Sequence, residues 1–132
     1  MTSAYSIKLQ DFETYIREIA RTFLTAQARE ESYYPTLKAF LEAYSRVANL
    51  KVEIVVNPKR TEAGLPDFVI RTTDMRIIGY IEAKDIRIDN IDDEIDTEQL
   101  SRYRRTMTNF LLTDFFTFTL FRDGQIVDKV SL

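Results

Sequence analysis

Apolar residues recur every three or four positions as far as Val47 and then, after Asn49, in short β-branched and aromatic runs. That switch in period restricts the fold more than any other feature, because one chain must supply both helical stripes and strands. Over residues 7–26 the stripe is Ile7, Phe12, Tyr15, Ile16, Ile19, Ala20, Phe23 and Leu24, which predicts an amphipathic helix. Gln27-Ala28-Arg29 breaks it, and Tyr33, Tyr34, Leu37, Phe40, Leu41, Tyr44 and Val47 predict a second helix. Pro35 falls in that helix's first turn, where a missing N–H is tolerated. Residues 50–56 then read as a strand stopped by Asn57-Pro58, and the polar loop that follows carries Lys59 and Arg60. Two more strands are predicted at 67–72 and 76–84, joined by Thr73-Asp74-Met75. Residues 88–98 are acidic without a basic residue and lead into a helix expected to start at Asp96 or Thr97 and run to about Asn109. Residues 115–121 and 125–130 flank Arg122-Asp123-Gly124 as a terminal hairpin. The order is ααβββαββ, and the architecture that buries both helical stripes and the strands is an α/β fold with a mixed β-sheet flanked by helices.

A chain of 132 residues is a single-domain length, 1–132. It ends two residues past an apolar run, which fits one domain of a longer polypeptide as well as a small protein finishing on a strand. Cysteine and histidine are both absent, so thiolate and imidazole zinc sites, a cysteine nucleophile and any histidine-dependent triad are excluded. Chemistry must come from carboxylates, lysine, tyrosine or hydroxyls. No secretory signal opens the chain and no apolar run approaches the roughly 18–20 residues that span a bilayer, so a cytoplasmic protein without membrane attachment is expected. The net charge of −3 argues against holding nucleic acid by bulk electrostatics, which leaves local basic patches for that purpose.

Within this frame the chemically loaded stretch is Gly64-Leu65-Pro66-Asp67-Phe68 together with Tyr80-Ile81-Glu82-Ala83-Lys84. Side chains in a strand repeat every second residue, so Glu82 and Lys84 project from one face. Asp67, opening the neighbouring strand of the hairpin, can reach the same spot. Two carboxylates and a lysine are the parts of a divalent-metal hydrolytic centre: hard oxygen ligands hold Mg²⁺, with Mn²⁺ as a substitute, and leave it several waters. The Ala83 carbonyl is a further candidate ligand. Lys84 could orient or deprotonate the attacking water, or offset charge on the transition state. The helical phase of the second helix, carried back, puts Glu30 on its inward side and Glu31 outward.

Pro66-Asp67, a gap of fourteen residues and Glu82-Ala83-Lys84 resemble the PD-(D/E)xK nuclease superfamily. Gln99-Leu100-Ser101-Arg102-Tyr103 resembles the Q-x-x-x-Y signature of its Mrr-like branch. More narrowly, the runs beginning at Glu30, Gly64, Tyr80 and Asn109 resemble the N-terminal nuclease region of single-polypeptide restriction–modification enzymes such as the type ISP group. The resemblance covers the chain from Glu30 to its end. It implies a restriction-endonuclease-like fold, a Mg²⁺-dependent DNA endonuclease of a restriction–modification system, and DNA as partner. It also implies a supporting role for Glu30, and Gln99 and Tyr103 positioning the lysine or a phosphate. Target recognition and methylation would fall to other domains or subunits, and dimerisation is compatible with it.

Each signal has a plainer counterpart. Glu30 could serve only to favour a helix N-terminus. Gln99 and Tyr103 could be a surface amide and a packed ring. Lys59, Arg60 and Arg87 adjoin the expected site in loops and are DNA-contact candidates, while Arg102, Arg104 and Arg105 fit a solvated helix face as well as a phosphate contact. The acidic run reads as solvated, and Phe116, Phe118 and Phe121 as core. The alternative function is a catalytically inactive nuclease-fold module for DNA binding or protein interaction in a larger assembly.

Overall fold

The computed structural model describes residues 9–61, 64–86, 91–94 and 97–132. The first helix, α1, spans Leu9–Leu24. A 3₁₀ turn over Glu30–Tyr33 leads straight into α2, Tyr34–Val47, with Pro35 in its first turn. The Asn49 and Leu50 N–H groups bond back to the Arg46 and Ser45 carbonyls at 3.2 and 2.8 Å, and Asn49 has a φ of 55°. This left-handed cap satisfies the last carbonyls of α2 and draws Leu50 into the helix end, so the first strand, β1, begins at Val52 and not at residue 50.

The strands β1 (Val52–Val56), β2 (Phe68–Thr72) and β3 (Ile77–Ala83) form an antiparallel meander. A second 3₁₀ turn (Ile91–Glu94) and α3 (Glu98–Thr106) then carry the chain across to β4 (Asn109–Thr113), which pairs parallel to β3. Antiparallel β5 (Thr117–Arg122) and β6 (Gln125–Ser131) complete a six-stranded sheet in sequence order. The expected mixed sheet flanked by helices is thus what the chain forms.

Its order, ααβββαβββ, contains one strand more than the sequence pattern suggests, and α3 ends at Thr106 where a helix to Asn109 is expected. The reason lies in β4, where Phe110, Leu111 and Leu112 are consecutive. Phe110 and Leu112 pack under α3, while Leu111 packs against the α1–α2 side. A central strand covered on both faces shows no alternation, so its period is invisible.

Parity divides the core in two. On one face Tyr15 and Ile19 of α1 and Leu37 of α2 cover Ile54, Phe68 and Ile81; on the other Leu100, Tyr103 and Met107 cover Phe110, Leu112 and Phe121. Phe115 and Phe121 are fully buried and Phe116 and Phe118 pack against the first core, as expected of core aromatics. Among the described residues no helix is long and apolar enough to cross a membrane.

A side-chain hydrogen bond ties α1 to the turn between β4 and β5. The buried Tyr15 hydroxyl donates to the Phe115 carbonyl at 2.6 Å, in a turn where Phe115 itself has a φ of 76°. Replacing Tyr15 by Phe keeps the ring but leaves that acceptor without this donor. We expect Tyr15→Phe to lower unfolding stability by about 1–2 kcal/mol in denaturant titration, with no change of fold.

Candidate active site

The loop after β1 returns through Gly64 and Pro66 to Asp67, immediately before β2. There the Asp67 N–H donates to the Ile81 carbonyl at 3.1 Å, and the Ala83 N–H donates to Asp67 Oδ2 at 2.8 Å. The carboxylate replaces the next backbone rung of the β2–β3 ladder. The ladder ends with the pair Phe68 and Ile81, so one step further sets Asp67 across from Glu82. The ladder to β4 continues meanwhile, with the Lys84 N–H donating to the Thr113 carbonyl at 2.8 Å. Lys84 is therefore held by backbone on the same sheet edge as the two acids.

On the α3 side, Thr97 caps the helix by accepting from the Leu100 N–H at 3.3 Å. That start places Gln99 and Tyr103 one turn apart on a common face. Lys84 Nζ lies 3.5 Å from Glu82 Oε1 and 3.4 Å from Gln99 Oε1, and Gln99 Nε2 donates to the Tyr103 hydroxyl at 3.1 Å. Tyr103 is wholly buried, with its ring and hydroxyl against the loop at Gly64. A continuous polar chain runs from Glu82 through Lys84 and Gln99 to Tyr103.

Glu30 opens the 3₁₀ turn, half-buried, while Glu31 is exposed, in line with their helical phase. The Tyr34 hydroxyl donates to Glu30 Oε1 at 3.1 Å, and Asp67 lies close enough to act on it electrostatically. Ala83 is fully buried and spends its N–H on Asp67.

Lys59 and Arg60 are exposed on the loop that returns through Gly64. Arg87 lies outside the described residues, as do Asp89 and Asp96 of the acidic run. Of that run Asp92 pairs with Lys129 at 2.6 Å. Arg104 stands over the Phe121 ring at 5.1 Å and donates to the Gly124 carbonyl at 3.2 Å, so it is a packing residue. A groove of about 510 Å³ beside it, lined by Arg105 and Asp123 among others, shares no lining residue with the polar chain.

Two residues with strong ties to the acids carried no chemical signal in the sequence. Tyr34 was visible only as part of an apolar stripe. Asp85 acts on Glu30 electrostatically, and nothing in the periodicity separates it from an ordinary strand-end charge.

The electrostatics are those of acids crowded out of water. Burial first, and then the charge of Asp67, pushes the Glu82 carboxyl up to about 8, while Lys84 pulls it down only in part. Burial also raises Asp67, against the lowering effects of the Ala83 N–H, Tyr34, Lys84 and Glu82. Glu30 is raised by burial and by Asp67, with Tyr34 and Lys84 opposing. Among the described residues the buried Glu82 Oε2 has no hydrogen-bond partner. A lone ammonium does not balance this cluster, whereas a dication bound by Asp67 and Glu82 would use the orphaned oxygen and reverse the upward shifts. The donor set is all oxygen, which suits Mg²⁺ or Mn²⁺. Among the described residues no three His, Cys, Asp or Glu side chains form a group that could hold a metal ion. Any such ion would therefore be held by few side chains and keep much of its water.

No protein-family model matches the chain, and no curated protein matches it either. Solved structures do, among them a chain of the cryo-EM structure of a DrdV–DNA complex. That chain is 22% identical with a TM-score of 0.75, over 94% of this chain and 87% of the other. At that identity the likeness is one of fold.

Two outcomes follow from this geometry. Gly64 has a φ of +135°, and a Cβ there would lie 3.0 Å from Tyr103 Cε1 and 3.1 Å from its hydroxyl. Gly64→Ala should cost about 1–3 kcal/mol in unfolding experiments, because both backbone and ring must shift. The second concerns pH. Between the ordinary glutamate value of 4.5 and about 8, the metal-free folded chain keeps a proton on Glu82 that the unfolded chain has released. Its stability should therefore fall as pH rises through that window, and Glu82→Gln should flatten the fall, as followed by thermal unfolding in chelator.

Proposed function

We propose that this chain is a Mg²⁺-dependent endonuclease domain that hydrolyses DNA phosphodiester bonds, within a restriction–modification system. The observation that carries this reading is the meeting of Asp67, Glu82 and Lys84 at one sheet edge, with a buried glutamate oxygen that has no hydrogen-bond partner among the described residues. The PD-(D/E)xK-like spacing supports it, as does the fold shared with a protein whose structure was solved with DNA.

In this reading Asp67 and Glu82 hold Mg²⁺, with the Ala83 carbonyl as a further candidate ligand. The bound ion supplies an acidified water and offsets charge on the scissile phosphate. Lys84 contributes its ammonium beside the same phosphate. As an ammonium it orients the attacking water or neutralises charge as the P–O bond to the leaving oxygen breaks; to take the water's proton it would have to be the neutral amine, which then becomes the ammonium. Gln99 fixes where that ammonium points: its carbonyl oxygen accepts from Lys84 while its amide is committed to Tyr103. Tyr103, packed under Gly64, transmits the rigidity of the α3 core to the amide. Glu30 stands by as a third acid.

Lys59 and Arg60 are exposed on the loop that closes over Tyr103, and they offer phosphate contacts on a chain whose net charge is −3. Binding would then rest on few charges, with a correspondingly shallow dependence on salt. Selection of a target sequence, and methylation, would belong to other domains or subunits. Dimerisation would bring two such centres to the two strands of a duplex.

A second reading is a nuclease-fold module that has lost catalysis and serves DNA binding or protein interaction. The absence of a three-acid metal group among the described residues favours it. Lys84→Ala and Asp67→Asn separate the two readings. On a duplex substrate with Mg²⁺, each should reduce cleavage at least about 100-fold while circular dichroism stays that of the parent chain. Cleavage that survives Lys84→Ala in a rigorously purified preparation would remove the lysine from the mechanism. A parent chain that binds Mn²⁺ no better than Asp67→Asn would favour the inactive module.

A further inference from the structure

Tyr34 sits where a phenylalanine would pack equally well. Its ring is 3% exposed and lies 4.9 Å from that of Phe68 and 6.5 Å from that of Phe115. Taking a hydroxyl into such a place costs free energy unless the group finds a partner. The partner it finds is not a backbone carbonyl but a carboxylate, Glu30 Oε1 at 3.1 Å, and Asp67 is a second acid close to it. Phe68, which seats the ring, directly follows Asp67, so the same packing that buries the ring brings the hydroxyl and the acid it holds near Asp67.

Glu30 and Asp67 repel each other, and both are partly withdrawn from water. Glu30 lies in a short turn with solvent close by, and nothing in the backbone compels its side chain to face a like charge. The contact that holds it inward is the Tyr34 hydroxyl, four residues on and fixed at the start of α2. The one hydroxyl proton goes to Glu30, so the bond is a tether that keeps this acid turned towards Asp67.

We infer that Tyr34 is a positioning residue of this site, its hydroxyl holding Glu30 beside Asp67 so that a third acidic group stands next to the metal-binding pair. This rests on the metal-dependent reading above. It extends that reading by naming the contact through which the helical layer, and not the sheet alone, sets the acidic side of the centre. The lysine side is set independently through Gln99 and Tyr103.

The test compares Tyr34→Phe, Glu30→Gln and the double variant in the full chain. Three readouts are used: Mn²⁺ affinity by calorimetry, thermal unfolding in chelator, and Mg²⁺-dependent cleavage of a duplex. Tyr34→Phe should keep the parent fold and weaken Mn²⁺ binding by about tenfold, the scale of losses when a group supporting a metal ligand is removed. Glu30→Gln should weaken it similarly, and the double variant should be no worse than the poorer single one. The shifts in unfolding temperature should likewise fail to add, and cleavage should fall in kcat more than it rises in KM. Unchanged Mn²⁺ affinity in Tyr34→Phe, or losses that multiply in the double variant, would overturn the inference. A parent chain that binds Mn²⁺ without cutting DNA would overturn the nuclease reading alone and leave the comparison of variants to judge Tyr34. A parent chain that binds no Mn²⁺ would overturn both.

Discussion

The bond from the Ala83 N–H to Asp67 Oδ2 is the contact on which the rest of the arrangement depends. Where β2 and β3 would otherwise exchange another backbone rung, a side chain takes the place of the backbone. The consequence is geometric: the strands part just beyond Phe68 and Ile81, and an acid is fixed in the opening across from Glu82. Had the ladder simply continued, Asp67 would be an ordinary strand residue free to turn to solvent. Because the bond uses one carboxylate oxygen, it orients the group as well as placing it.

Around that fixed acid the fold gathers charge at a cost to itself. Three carboxyls are raised by burial, Glu30 and Glu82 also by the charge of Asp67, while one ammonium compensates, 3.5 Å from Glu82 Oε1, long for a hydrogen bond. A chain selected only for stability would fill this place with apolar side chains, since replacing a whole buried charge cluster by well-packed apolar residues is often neutral or stabilising. The strain is confined to the sheet edge. Both cores on either side are apolar and closed, so the crowded acids sit on a rigid support. Such a division, with a stable frame and a destabilised centre, is where perturbed side-chain ionisation and function tend to coincide.

Much of this was legible in the sequence, and for definite reasons. The stripes of α1 and α2 show because each helix has one wet face, and strand parity alone aligns Glu82 with Lys84. The proline before Asp67 and the four-residue spacing of Gln99 and Tyr103 are local signals that survive folding. What could not be read depends on neighbours. β4 is covered on both sides and so has no period, which is why Asn109 was assigned to the preceding helix. The start of β1 was displaced because the cap of α2 consumed Leu50. Tyr34 is the telling case: in a stripe of aromatics its hydroxyl looks incidental. Only the packing of α2 on Phe68 brings it to two acids that lie far apart in the chain. Gly64 is similar, since its need to be glycine arises from Tyr103, nearly forty residues later.

The central claim is that Asp67 and Glu82 form a divalent-cation site on an edge held open by the Ala83–Asp67 bond. Anomalous diffraction from crystals of the full chain equilibrated with Mn²⁺ tests it most directly. The account predicts a manganese peak within bonding distance of both the Asp67 carboxylate and Glu82 Oε2, absent from crystals of Asp67→Asn. A difference map with no peak there at millimolar Mn²⁺, or a peak bound only by other residues, would contradict it.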